Sequence, residues 1–216
     1  MSLITPMLTN GRIVPAVGGG PSVVQYAVGS RSSNPSVTTM SGLTSGNLLV
    51  LTGAVEGPGD EWTALSSNLS SQGFTKQNTT TDSNHPSVFM ASRVINGSEA
   101  SSYSLNSGGG MLALIEINGT FDVCGDASKT GTSTTYNISG ITVTNNNSLL
   151  FAIGAVSHTY ALTMPSGMTE VFNDSSGVDP GLGVAYESVN SGATGTRQIS
   201  RPGTIAGMGG VMFAVY

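Results

Sequence analysis

Ten residues of this chain are written nearly twice. Gly46-Asn47-Leu48-Leu49-Val50-Leu51-Thr52-Gly53-Ala54-Val55 returns as Asn147-Ser148-Leu149-Leu150-Phe151-Ala152-Ile153-Gly154-Ala155-Val156, so that Leu149 answers Leu48 at an offset of 101 residues. Each run is short, apolar and bounded by turn residues, which is the pattern of a strand buried in a sheet and not of a helix. Three further blocks follow in the same order. Gly167-Met168-Thr169 answers Gly73-Phe74-Thr75, Pro180 to Asn190 answers Pro86 to Asn96, and Gly209 to Tyr216 answers Gly110 to Ile117. Gly140-Ile141-Thr142 answers Gly42-Leu43-Thr44 in the same way.

Composition agrees with many short strands. Charged residues make up 9% of the 216, against about a quarter in an ordinary domain. The Ala, Leu, Glu, Lys and Arg that line exposed helix faces are scarce, while 30 glycines and abundant Ser, Thr and Asn supply turns. A four-stranded sheet from one half would leave an apolar face wet. Two such halves closing over one interior remove that face from water, and no long linker separates them. The expected fold is all-β: a jelly-roll-type β-sandwich (residues 21–216) built from two similar halves, about 40–117 and 138–216, with an extended N-terminal arm, residues 1–20.

The arm is apolar but broken by Pro6 and Pro15, and Gly18-Gly19-Gly20-Pro21 joins it to the body as a hinge. Its anchors are Leu3, Ile4, Met7, Leu8, Ile13 and Val14, which are expected to lie on a neighbouring chain. No basic leader, continuous apolar signal or membrane-length apolar run is visible. Twelve acidic residues against seven basic ones give a net charge of −5. No cationic stripe is available for phosphates, so neither nucleic acid nor membrane is expected as a partner.

Chemistry-bearing residues are sparse. His85 and His158 stand alone, without the three or four donors that a metal needs. Cys124 lies between Asp122 and Asp126 without a cationic neighbour to lower its pKa, and reads as an inert thiol. Glu56, Asp60 and Glu61 precede Trp62 and could flank a sugar, but they fit a solvated acidic turn better. No Gly-x-Ser-x-Gly elbow or phosphate loop is present. No enzyme activity, metal or cofactor is expected. Trp62 and Tyr160 are the residues that could stack on a carbohydrate.

The turn followed by Gly-Asn-Leu-Leu-Val or Asn-Ser-Leu-Leu-Phe, the Pro-Ser-Gly-Met-Thr of 165–169 and the terminal apolar strand resemble the duplicated β-sandwich modules of tailed-phage virion proteins. That resemblance covers about residues 40–216. It implies a non-enzymatic virion structural protein, most like a capsid decoration or cement protein made in the host cytoplasm. The implied partners are the major capsid protein or another virion protein, and further copies of this chain, with a trimer favoured by analogy. The alternative within the same resemblance is a tail or fibre module that binds a receptor or carbohydrate.

Overall fold

The repeated apolar runs become the central strands of two antiparallel sheets. The computed structural model describes residues 9–12, 19–55, 69–79, 86–105, 109–125, 128–130, 133–175, 179–203 and 207–216. The strands before residue 119 are β1 (Thr9–Arg12), β2 (Ser22–Val28), β3 (Ser36–Thr38), β4 (Leu48–Val55), β5 (Thr75–Thr79), β6 (Ser87–Val94), β7 (Ser102–Ser104) and β8 (Gly110–Asn118). Those after it are β9 (Phe121–Cys124), β10 (Ser128–Thr130), β11 (Thr135–Ile138), β12 (Thr142–Val143), β13 (Ser148–Val156), β14 (Thr169–Asp174), β15 (Gly181–Val189), β16 (Gly192–Ala193), β17 (Arg197–Ser200) and β18 (Met208–Val215).

The first sheet has the order β1-β2-β8-β4-β6-β5. In the second, β10 and β9 both pair with β18, and the order continues β18-β13-β15-β14. The molecule is therefore an all-β sandwich. Each sheet is drawn from one continuous half of the chain, and most neighbouring strands within a sheet are not consecutive in sequence, so the connections cross over.

Alternation explains where the side chains go. From β4, Leu48, Val50 and Ala54 point inward; from β13, Leu149, Phe151, Ile153 and Ala155 do the same. They meet Ile115 and Ile117 of β8 and Val211, Phe213 and Val215 of β18 in one apolar interior shared by both sheets. Phe151 and Phe213 stack at its centre, with rings 4.6 Å apart and 6° from parallel. Each large side chain buried there contributes on the order of 1.5–3 kcal/mol.

The outward faces of the sheets are buried as well. Leu49, Leu51, Leu112 and Leu114 lie under Val37 of β3, Tyr103 of β7, Leu69, Phe74 and Leu105. On the far side, Leu150, Ala152, Met212 and Ala214 lie under Ile138 of β11, Val143 of β12, Ile199 of β17, Leu162 and Met164. The cover is made by three two-stranded pieces, β3·β7, β11·β17 and β12·β16. Every residue of β4 and β13 is consequently buried. This is why the two runs are continuously apolar where a sheet with one wet face would alternate.

A single helical turn is described at residues 69–71. One expectation changes in detail. The terminal strand matches the first half one residue away from its sequence alignment: Ile117 lies opposite Leu48, and Val215 rather than Tyr216 lies opposite Leu149. Glycine-for-glycine matching set the wrong register, and the inward apolar set decides it, since a one-residue slip exchanges the two faces.

Of the expected arm, residues 9–12 and 19–20 are described. Leu3, Ile4, Met7, Leu8, Ile13 and Val14 lie outside the described residues. Thr9–Arg12, where contact with a neighbouring chain was expected, forms the edge strand of this chain's own first sheet, antiparallel to β2. Gly11 faces Tyr26 in that ladder, and the Tyr26 ring occupies the space that a side chain at Gly11 would need. The same ring stacks on Phe172 of the second sheet at 5.7 Å. The opposite edges, β5 and β14, carry polar residues at their exposed positions, and each has a bulge, between Lys76 and Asn78 and between Glu170 and Phe172. Bulged polar edges resist the addition of a foreign strand.

Candidate functional site

Side chains with chemical potential gather where β13 ends and β15 and β18 begin. The loop after β13 starts with a knot: Ser157 N–H donates to the Gly207 carbonyl at 3.0 Å, and Gly207 N–H donates to Ser157 Oγ at 2.8 Å. His158 follows in the left-handed region at φ 66°. Its backbone N–H donates to Asp179 Oδ1 at 2.6 Å, and its Nδ1 lies 3.9 Å from Asp179 Oδ2. The imidazole is half exposed and stacks near Tyr160, with ring centroids 6.4 Å apart.

Tyr160 is the one predicted stacking residue that the structure describes, and its ring is already engaged. The Arg201 guanidinium lies 5.6 Å from the ring centroid. A side chain at Gly203, whose φ is 77°, would meet the phenol ring at 3.0 Å. Arg201 is itself buried, and its Nη1 donates to the Gly203 carbonyl at 2.7 Å. Burial pushes the guanidinium below its usual pKa, and the nearby Tyr160 phenol opposes that shift. The stack therefore ties the loops to one another, using the rings that a bound sugar would need.

The neighbouring loop is fixed by a second network. Leu162 N–H donates to Ser175 Oγ, Ser175 Oγ–H donates to Asn173 Oδ1, and Asn173 Nδ2 donates to the Leu162 carbonyl, each at 2.7 Å. Ser175 is thus a bracing hydroxyl that ties the end of β14 to the loop between β13 and β14. Beside it an open groove runs between Thr163–Ser166 and Thr196–Ser200. Arg197 and Glu187 close its floor through contacts of 2.6 Å from both Nε and Nη2 to Oε1.

Among the described residues, sequence reasoning missed the most deeply buried carboxyl group. Glu116 is fully buried on the outward face of β8 and accepts three hydrogen bonds. These come from Gln25 Nε2 and Asn47 Nδ2 at 2.7 Å and from Thr44 N–H at 2.9 Å. A lone Glu in the apolar run Met111–Ile117 was its only sequence signal. Its partners come from two other segments, β2 and the loop before β4, so its task of holding that loop could not be read locally.

A related tether holds a carboxylate on the same face. Arg93 Nη2 lies 3.4 Å from Glu99 Oε1, over the Phe74 ring. Burial pushes the Glu99 carboxyl up, but the N–H groups of Asn96, Gly97 and Glu99 itself, with Arg93, outweigh it and hold the group below its ordinary value.

Trp62, Glu56, Asp60, Glu61, His85 and Asp126 lie outside the described residues. Cys124 is partly buried against the shared interior. Asp122 does not serve the thiol: it accepts from the N–H and hydroxyl of Thr144. Among the described residues, no group of three His, Cys, Asp or Glu side chains is arranged to hold a metal. No protein-family model matches this chain, and no curated protein is detectably similar to it.

Proposed function

We propose that this chain is a structural protein of a virion, a decoration or cement protein that stabilises a phage head and has no catalytic role. The observation that carries this reading is how the polar groups are spent. The described side chains of chemical interest brace loops against one another, and both sheets are covered on both faces. Such a body offers rigidity and outer shape to its partners. On this reading its contacts are with a shell protein and with copies of itself, a trimer being the arrangement that suits a plug at a symmetric site.

The arm is the grip. Residues 9–12 complement the β2 edge, which supports an arm built for strand-like contact, and Leu3, Ile4, Met7, Leu8, Ile13 and Val14 supply the apolar anchors around it. A grip of this kind stabilises the assembly only where its partner is present. The test is retention on assembled particles of a chain lacking residues 1–17, alongside Gly11→Val, which collides with the Tyr26 ring. Both are expected to be released at lower temperature or denaturant than the intact chain. Full retention with unchanged thermal stability of the particle overturns the arm's role.

The carbohydrate-binding alternative rests on Trp62 and Tyr160. The Tyr160 ring is in contact with Arg201 and adjacent to Gly203, which favours the decoration reading. Reproducible binding on a glycan array, lost in Trp62→Ala, would reverse that preference.

A further inference from the structure

The chain contains three Asn-Gly steps, at Asn10, Asn96 and Asn118. At such a step the following amide nitrogen meets no Cβ and can reach the asparagine side chain. The structure treats the three differently. Asn96 is locked: its Oδ1 accepts from Ser98 N–H at 3.0 Å, from Ser98 Oγ at 2.6 Å and from Arg93 Nη2 at 3.4 Å. The Gly97 N–H that would attack it donates instead to Glu99 Oε2 at 2.9 Å. Asn10 and Gly11 sit inside the β1·β2 ladder opposite Ala27 and Tyr26. Asn118 is the last rung of β8, opposite Ser22, with an exposed side chain where the chain leaves the sheet.

We propose that Asn118 is the site of spontaneous deamidation in the folded protein, and that it marks the protein's age. The Gly119 nitrogen attacks Asn118 Cγ. The new C–N bond closes a succinimide while the C–NH2 bond breaks, and ammonia leaves carrying the proton lost by Gly119. Water then opens the ring at either carbonyl, giving aspartate or isoaspartate. No oxidant or reductant is involved. Each product adds a negative charge, and isoaspartate also lengthens the main chain by one methylene.

The place makes the change consequential. Residues 118–120 are the direct connection from the first sheet to the second, from β8 to β9. Gly119 is packed so closely that a side chain there would meet Val215 at 2.6 Å and Pro21 at 3.0 Å. Thr120 exchanges backbone hydrogen bonds of 2.7 and 2.9 Å with Tyr216. An extra main-chain atom at Asn118 therefore strains the seam where Pro21, at the root of the arm, meets the end of β18. This inference is independent of the virion reading.

The test is to hold the folded chain in mildly alkaline buffer and follow the three peptides by mass spectrometry, with the urea-denatured chain as reference. Asn118 is expected to convert first. Asn96 should convert at least about tenfold more slowly in the folded chain than in urea, because reaction there requires local opening. The exposed substitution Asn118→Gln should remove the early acidic species and the accompanying fall in Tm. The proposal is overturned if Asn96 or Asn10 converts first. It also fails if Asn118 survives while the denatured chain reacts, or if aged Asn118→Gln acquires the same acidic species and loses the same stability.

Discussion

The two sheets are built to the same pairing order and are held together by different chemistry. In both, the Gly-Ala-Val strand lies between its two long partners, β4 between β6 and β8, and β13 between β15 and β18. In both, the edge strand beyond carries a bulge at a matching place. The turn before the central strand is left-handed in each, at Gly46 (φ 93°) and at Asn147 (φ 55°). Glycine and asparagine are the residues that occupy that region at least cost.

The interior shows the first difference. Val50 and Ile115 of the first sheet stand where the second has Phe151 and Phe213. At this central pair the second sheet thus supplies aromatic bulk and the first supplies aliphatic filler, all four side chains buried. A core filled from one side by large rings and from the other by smaller side chains reaches close packing only when both sheets are present. The second difference lies in the loop before each central strand. Thr44 N–H is held by the fully buried Glu116 of β8, whereas Thr144 N–H is held by Asp122 of β9, in an exposed contact. The lesson is that pairing order fixes the frame, while the tethers are free to differ in burial and therefore in strength.

That comparison can be broken at several points. The largest effect is expected in the shared interior, where Phe151→Ala should cost about 3–5 kcal/mol in denaturant unfolding and lower the stability of both sheets together. The tethers come next. Glu116→Ala removes the acceptor of three hydrogen bonds, one from the buried Asn47 and two part-buried ones from Gln25 and Thr44, for a loss of roughly 3 kcal/mol, whereas Asp122→Ala should cost less than about 1 kcal/mol because water replaces the carboxylate. Equal losses at the two sites would erase the distinction.

The matched glycines sharpen it further. A Cβ at Gly53 would lie 2.7 Å from the Met111 carbonyl oxygen, the Phe89 ring and Leu112 Cδ2, whereas one at Gly154 would meet side-chain ends of Leu162 and Ile199 at 3.0–3.3 Å. Gly53→Ala should therefore cost about 1–3 kcal/mol, with Gly154→Ala the milder of the two in thermal melts. The smallest effect concerns pH. The Glu99 carboxyl is held below its ordinary value, so its stabilisation is present above the ordinary carboxylate range and is lost as pH falls through its folded-state value. A Glu99→Gln chain should be less stable than the parent at neutral pH, and the gap should close on acidification.

Much of this frame was legible in the sequence because β4, β8, β13 and β18 are largely apolar runs, the pattern of a strand covered on both faces. The covering pieces were not. Val37, Tyr103, Ile138 and Ile199 each sit in strands of three or four residues amid Ser, Thr and Asn, and their burial depends on a distant sheet arriving beneath them. The candidate site was partly legible: Tyr160 was singled out, but Arg201 was not, since it lies 41 residues further along and reaches the ring only after the sheet has formed. Glu116 was hidden for the same reason.

Native-state hydrogen exchange at rising denaturant measures most directly whether one interior serves both sheets. The shared core predicts that the slowest amides of β4 and β13 exchange through the same global opening, with equal free energies and equal denaturant dependence. Exchange of β13 through an opening that leaves β4 protected, or the reverse, would contradict it.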